Sequence, residues 1–369
     1  MTSASLYVHF PWCIRKCPYC DFNSHPLKDA LPEREYVDAL VSDLHEQLKT
    51  HPVSHIPTVF FGGGTPSLFS ADAFAEILQS LGARCTDATE VTMEANPGTT
   101  EHQDLGEYRQ AGINRISFGV QSFDNDKLRA LGRIHTSDSV YASFELAREA
   151  GFDNLNLDLM YGLPDQDPAG AMADLDAAIA LAPEHISWYQ LTLEPKTEFA
   201  RRPPRLPADL LLEVMEDSGY QRLAAGGYQR YEVSAYAQPG RECGHNRRYW
   251  TFADYLGIGA GAHGKLTLAD GAIQRTRKAH QPRVYLKAPT DTVVETLGTE
   301  LLPTEFMLNV LRLRDGVALA RFEEATGQPL SALEPARGRQ IEAGLLRDDR
   351  IAATERGYLL LDSLIQDYL

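Results

Sequence analysis

From Leu6 to about Leu193, short runs of β-branched, aromatic and Leu residues alternate with amphipathic stretches of helical spacing, the pattern that builds a parallel sheet. Six strands are predicted, at Leu6–His9, Thr58–Phe61, Val91–Glu94, Arg115–Gly119, Asn154–Leu159 and His185–Leu191, with a seventh at Tyr231–Ala235. After the first strand, Tyr36, Val37, Leu40, Val41, Leu44 and Leu48 recur on one helical face, with Pro32 placed to start the helix. Ser70 is the expected N-cap of the next helix, whose inner face carries Phe74, Ile77, Leu78 and Leu81. Gly112 and Gly151 stand where two later helices should stop in a left-handed cap. The alternation predicts an α/β fold, a partial (β/α)6 TIM-like barrel with its active site at the C-terminal ends of the strands.

After about Pro239 the alternation breaks, and Gly257-Ile-Gly-Ala-Gly-Ala-His-Gly264 leads into a region without clear period. The expected division is a barrel over residues 1–238 and a smaller, mainly helical C-terminal domain over residues 239–369. From Pro303 onward the chain reads as short helices followed by strands at Arg350–Thr354 and Gly357–Leu361, a winged-helix-like cap. That stretch is not notably basic, so packing against the barrel is expected in place of DNA binding.

With 369 residues, 43% of them hydrophobic, the chain can bury both cores. A formal charge of -16 argues against holding nucleic acid or an anionic bilayer across the whole surface, while leaving room for a local basic patch. No run approaches the roughly 20 apolar residues of a membrane span, and no basic, apolar leader precedes the first strand. The expected location is therefore the cytoplasm, without a transmembrane segment. Three of the five cysteines fall within eight residues, which points to metal ahead of disulfides in a reducing compartment. Cys85 and Cys243 read as small buried side chains.

The segment His9-Phe-Pro-Trp-Cys13-Ile-Arg-Lys-Cys17-Pro-Tyr-Cys20 brings three thiolates onto one loop after the first strand. A cubane of four irons held by three cysteines keeps one iron open, whereas structural zinc takes four ligands, His9 or His25 being the available fourth. Gly62-Gly-Gly-Thr65-Pro66 follows the second strand and lets backbone approach a polar ligand closely. Glu94 ends the third strand, Gln121 follows the fourth, Asp158 lies in the fifth and Thr192 lies past the sixth, all on one rim.

The CxxxCxxC loop, with Tyr19 just before its last cysteine, resembles the radical SAM superfamily. The resemblance implies a [4Fe-4S] cluster on Cys13, Cys17 and Cys20, with S-adenosylmethionine (SAM) chelated at the open iron and cleavable to a 5′-deoxyadenosyl radical. Within that superfamily the chain is similar to the coproporphyrinogen-oxidase-like branch, which implies SAM contacts from Tyr7, Gly63, Gly64, Thr65, Glu94, Gln121, Arg133, Asp158, Thr192 and His263.

The phrases HFPWCIRKCPYCDFNSH, FFGGGTPS, MEANPG, ISFGVQSF, LGRIH, NLDLMYGLP and WYQLTLEP resemble the heme-chaperone members of the branch. That likeness implies binding of heme and its transfer to hemoproteins, membrane-bound respiratory enzymes among them, with the cluster serving as a structural or regulatory element; a homodimer contact is one route to transfer. The other reading is an oxidative decarboxylase, an oxygen-independent coproporphyrinogen III oxidase. Phe22 stands where that enzyme has a fourth cysteine, and its N-terminal extension has no counterpart, so catalysis of that kind is not expected. His245-Asn-Arg-Arg-Tyr-Trp250 matches the chaperones' HNxxYW signature, which implies His245 as heme ligand. Arg247 and Arg248 would then pair the propionates, Tyr249 and Trp250 would pack the macrocycle, and Cys243 is a further candidate for ligation or attachment.

Overall fold

The computed structural model describes residues 3–100 and 104–369, Thr100 in its backbone alone. Six parallel strands form as the alternation predicts: β1 (Ser5–Phe10), β2 (Thr58–Gly63), β3 (Glu90–Ala95), β4 (Arg115–Gln121), β5 (Leu155–Tyr161) and β6 (His185–Gln190). Helices α1 (Glu33–Thr50), α2 (Ala71–Leu81), α3 (Leu105–Ala111), α4 (Ser137–Glu149), α5 (Pro168–Ala180) and α6 (Asp209–Ala225) follow them in turn. In β1, Leu6, Val8 and Phe10 are fully buried, and Phe10 packs edge-on against Phe61 and Phe69. Tyr7 and His9 alternate with them and so face the barrel's interior.

Two helix starts differ in detail from the sequence reading. Pro32 is the N-cap of α1, one position before the helix. Ser70 precedes α2 but spends its hydroxyl on Glu33, 2.6 Å away, instead of on the helix's own N–H groups. Gly112 and Gly151 both carry the positive φ of a left-handed stop.

Past residue 239 the chain joins the opposite edge of the same sheet. Strand β9 (Tyr255–Ile258) pairs in parallel with β1, setting Tyr7 against Gly257 and Val8 against Ile258. Strands β10 (His263–Thr267), β11 (Ile273–Arg277) and β12 (Val293–Thr296) then add antiparallel. The Gly-rich segment is thus the end of β9, a turn and the start of β10, and a Cβ on Gly257 would stand 1.9 Å from the His263 carbonyl oxygen. On the far side the expected seventh strand is two, β7 (Gln229–Glu232) and β8 (Ala235–Ala237), with β8 antiparallel to β6. The order β12-β11-β10-β9-β1-β2-β3-β4-β5-β6-β8-β7 leaves the two edges apart, which makes the barrel partial.

The C-terminal part is mainly helical: α8 (Leu302–Val310), α9 (Ala320–Thr326), α10 (Ala336–Glu342), α11 (Glu355–Tyr358) and α12 (Leu361–Gln366), with one two-residue pairing of Val317–Ala318 with Arg350–Ile351. The helix that separates barrel and cap, α7, spans Gly244–Trp250 in chain order between β8 and β9. The strand expected at Gly357–Leu361 is instead helical. Thr354 caps α11 by accepting from Gly357 N at 3.1 Å, and a short apolar run without alternation does not by itself separate a strand from a helix turn. Phe306 and Phe322 centre a second core that reaches Phe252. Among the described residues no helix is long and apolar enough to cross a membrane.

Candidate functional site

The loop after β1 folds back on itself, Trp12–Cys13 pairing with His25–Pro26 while Cys20 N donates to Cys17 O at 3.1 Å. Cys13, Cys17 and Cys20 line a cavity of about 140 Å³, together with Gly63, Gly64, Thr65, Glu94, Gln121, Arg133 and Asp158. Among the described residues no three His, Cys, Asp or Glu side chains close on a point as a mononuclear site would. A cubane asks for something else, one thiolate on each of three irons.

The glycine run lets the end of β2 press against this loop. Gly64 N donates to Phe10 O at 2.6 Å and Thr65 N to Trp12 O at 2.8 Å. Gly63 has φ +115°, and a Cβ there would lie 2.4 Å from His9 Cε1. The close approach is therefore to the chain's own first strand and loop, and it leaves Gly63 N–H donating to Glu94 Oε2 at 2.9 Å.

Glu94 is half-buried with that one backbone donor, and desolvation pushes its carboxyl up to about 8. Such a group suits an ammonium partner, which would pay back its lost hydration. Gln121, at a β-bulge with φ +69°, accepts from the Tyr189 hydroxyl at 2.9 Å, leaving its NH₂ end to donate. Asp158 accepts from Ser117 Oγ at 3.0 Å and Asn156 Nδ2 at 2.8 Å. Arg133 donates to Gly119 O at 2.7 Å and reaches Cys17 Sγ at 3.7 Å, while its Nε is buried without a partner. Three thiols, a guanidinium beside them and a half-buried, desolvated carboxylate make a donor set that fits an anionic cluster and the amino-acid end of SAM.

A second chamber, of about 720 Å³, adjoins the first at Phe22, Gly63 and Glu94. Its walls include Tyr7, Phe60, Tyr249, Trp250 and Tyr255, and four histidines, His9, His245, His263 and His280. Helix α7 carries His245 into it, and Glu90 fixes the helix start by accepting from Gly244 N at 2.9 Å and His245 N at 3.0 Å.

The His245 ring packs 5.0 Å from Phe60, with Nδ1 3.0 Å from Thr58 Oγ1. Thr58 donates its single proton to Ser5 Oγ at 2.8 Å, so Nδ1 must be the donor to Thr58, and Nε2 keeps its lone pair. Burial holds this imidazole at about 3, neutral in the physiological range. His9 is the opposite case: Nδ1 meets Tyr7 OH at 3.0 Å and Nε2 meets Asn23 O at 2.9 Å, which occupies both nitrogens. Asn23 in turn donates to Ala260 O at 2.8 Å and His280 O at 2.9 Å, tying the cysteine loop to the far edge of the sheet. Neither His9 nor His25 lines the cavity of the thiols.

Four residues of the sequence reading lie elsewhere than with the cysteines. Tyr7, His263 and His245 belong to the second chamber. Thr192 lines neither, its hydroxyl donating to Glu194 at 2.7 Å in an exposed loop. Arg247 lies 3.6 Å from Glu242 and Arg248 donates to Ser5 Oγ at 2.9 Å, so neither guanidinium faces the chamber. The Cys243 thiol is buried against Glu90 at 3.7 Å and pushed up to about 12, while Cys85 is only half-buried. Sequence reasoning missed His9, Asn23, Phe60 and Tyr189. The period-two alternation of β1, β2 and β6 is the signal that aims three of them inward.

Residues 7–176 match the radical SAM superfamily, and residues 300–360 match the HemN C-terminal domain. The chain is 46% identical over 369 residues to the heme chaperone HemW of Escherichia coli K12, covering 99% of this chain and 98% of that protein. The heme chaperone HemW of Haemophilus influenzae is 45% identical over 373 residues, with 99% and 97% covered. Among solved structures, coproporphyrinogen III oxidase (HemN) from Escherichia coli, a radical SAM enzyme, aligns with a TM-score of 0.82 at 22% identity, covering 100% of this chain and 90% of that one, which is a likeness of fold.

Proposed function

The chain belongs to the HemW family within the radical SAM superfamily, and on that premise we propose that it is a heme chaperone, binding heme at His245 and passing it to acceptor hemoproteins. The observation that carries this reading is His245 itself: a neutral imidazole with Nδ1 tied to Thr58 and Nε2 free, in an aromatic-walled chamber that opens onto the cysteine cavity. Imidazole is a standard axial ligand of heme iron, and the tied nitrogen fixes the ring's tautomer and direction.

Superfamily membership implies a [4Fe-4S] cluster and SAM. Cys13, Cys17 and Cys20 would hold the cluster, and Glu94, Gln121, Asp158 and the Gly63–Thr65 turn would hold SAM at its open iron. When bound, that pair supplies one-electron chemistry at the sulfonium. The chain's own residues do the coupling. Phe22, Gly63 and Glu94 belong to both chambers, so filling one alters a wall of the other. The proposed role is therefore binding and transfer, with the cluster ordering the loop through which delivery is controlled. The acceptors would be hemoproteins met from the cytoplasm, membrane-bound respiratory enzymes among them.

Anaerobic titration of hemin into cluster-loaded protein tests the reading. One equivalent should bind to the wild type with a histidine-ligated spectrum, and His245→Ala should bind more weakly with an altered spectrum. Absence of binding to the wild type overturns the chaperone role.

A further inference from the structure

Behind the second chamber lies a third cavity, of about 770 Å³, between the barrel and the C-terminal helices. Tyr249 and Trp250 of α7 belong to both, so the helix that carries His245 is the partition. The wall on the far side is built differently. Arg312 lies over the Trp250 ring at 4.3 Å, its Nε buried without a partner and its one carboxylate contact, to Glu232, a long 3.4 Å. Arg230 is stacked on Tyr220 at 4.2 Å and on Tyr358 at 4.8 Å, with Nη2 donating to Val233 O at 2.6 Å and Nη1 left for a ligand, and the Trp250 indole N–H is also buried without a partner. Leu308, Leu359 and Leu360 form an exposed apolar rim. Two acidic groups face the space, Glu216, which is engaged by the Tyr220 hydroxyl, and Asp362.

Two guanidiniums, flat aromatic faces and an apolar rim, in a chain of formal charge -16, suit a flat apolar molecule carrying a pair of carboxylates. Among the described residues the lining holds no His, Cys or Met. Iron in this cavity would therefore find no imidazole, thiolate or thioether, and of the phenols in the lining Tyr358 is spent donating to Arg312 O at 2.8 Å and is pushed up to about 12 by burial. We propose that this cavity is a second porphyrin station, which receives heme after it leaves His245 and holds it by its carboxylates and faces alone, with an axial position open to the acceptor's ligand. The proposal rests on the heme-binding reading above and adds the exit route to it.

Metal-free protoporphyrin IX separates the two stations, because only the His245 chamber needs iron. Titrated into the cluster-loaded full chain carrying His245→Ala and followed by porphyrin anisotropy, it should bind with one equivalent. Adding Arg312→Gln should weaken that binding by about 10-fold, the loss expected for one hydrogen bond to a charged group. Leu308→Trp, on the exposed rim, should weaken it comparably by filling the cavity without disturbing the Arg312–Glu232 pairing. In the His245 background each variant should also slow hemin release to excess apomyoglobin. Unchanged porphyrin affinity in both variants overturns the station. Hemin binding by the wild type without any protoporphyrin binding leaves the chaperone reading standing and removes the station, whereas a wild type that binds no hemin removes both.

Discussion

Asp43 Oδ1 and Lys278 Nζ meet 2.5 Å apart with both side chains almost wholly out of solvent, joining α1 to the segment after β11. The Tyr285 hydroxyl donates to Asp43 Oδ2 at 2.8 Å, and Lys278 also donates to Thr292 Oγ1 at 2.6 Å and Pro289 O at 3.1 Å. Next to the pair, Tyr36 donates to His9 O at 2.6 Å and accepts from Ala260 N at 3.0 Å. The buried charges thus stand where the cysteine-loop strand and the added edge of the sheet are locked together. Burial pushes the Asp43 carboxyl up, and the adjacent ammonium opposes it.

Breaking such a pair from one side costs about 3–5 kcal/mol, because a buried charge is left alone. Lys278→Met is therefore expected to destabilise the protein by that order in anaerobic denaturant unfolding. The double variant Asp43→Asn with Lys278→Met should recover more than half of the loss. Two single losses that merely add would refute the coupling.

Gly63→Ala and Gly151→Ala place the same methyl group on backbones of positive φ, but in different surroundings. At Gly151 a Cβ meets nothing within 4 Å, so only the left-handed strain of about 1–2 kcal/mol applies. At Gly63 it would overlap the His9 ring, 2.4 Å from Cε1, and His9 holds Tyr7 and the Asn23 carbonyl. Gly63→Ala should lower the iron and sulfide bound per chain after reconstitution, while Gly151→Ala should lose stability only. Equal cofactor loading in the two would remove the role given to this turn.

What the sequence made legible follows from how local each signal is. The six parallel strands, the cysteine loop and Glu94, Gln121 and Asp158 all rest on alternation and on strand ends, which short windows carry. The parallel pairing of β9 with β1 joins Tyr7 to Gly257 across most of the chain, and no local period announces it. His263, expected beside the cysteines, accordingly lines the adjoining chamber. Arg247 and Arg248 depart from the expected propionate role for a different reason: Arg248 lies three residues on from His245, on the same side of the helix, but its guanidinium is taken by Ser5 Oγ at 2.9 Å, a partner distant in sequence, and Arg247 turns to Glu242 at 3.6 Å. The Gly357–Leu361 run was ambiguous because four apolar residues in sequence fit a strand and a helix turn alike.

Glu94 gives the cofactor-free protein a pH dependence of definite sign. Its carboxyl titrates near 4.5 when unperturbed and near 8 in the fold, so between these values the folded chain holds a proton that the unfolded chain has lost. The stability contributed by the protonated form is complete below about 4.5 and is lost as pH rises through about 8. The difference in stability between wild type and Glu94→Gln should accordingly shift against the wild type across that window. An amine N–H donated by SAM to the ionised carboxylate reverses the preference, so below about pH 8 SAM should bind with more proton release in the wild type than in Glu94→Gln. A flat difference curve, or equal proton release in the two proteins in calorimetry across buffers, would contradict this placement of the charge.

Thr58→Val tests the tautomer of His245 without touching the imidazole. The substitution keeps the branched shape, and removes the oxygen that takes Nδ1–H and that donates to Ser5. With nothing to fix the ring, either nitrogen can face the chamber, and the partner of a ligating histidine is commonly worth at least about 10-fold in affinity. Hemin should bind Thr58→Val about 10-fold more weakly than wild type, with a broadened Soret band and a histidine-ligated spectrum still visible, whereas His245→Ala loses that spectrum. Thr58→Ser, which restores the hydroxyl, should recover the wild-type affinity. If Thr58→Val bound hemin as tightly as wild type, the lone pair on Nε2 would not be set by this hydrogen bond, and the ring's orientation would have to come from its packing against Phe60 and Tyr7.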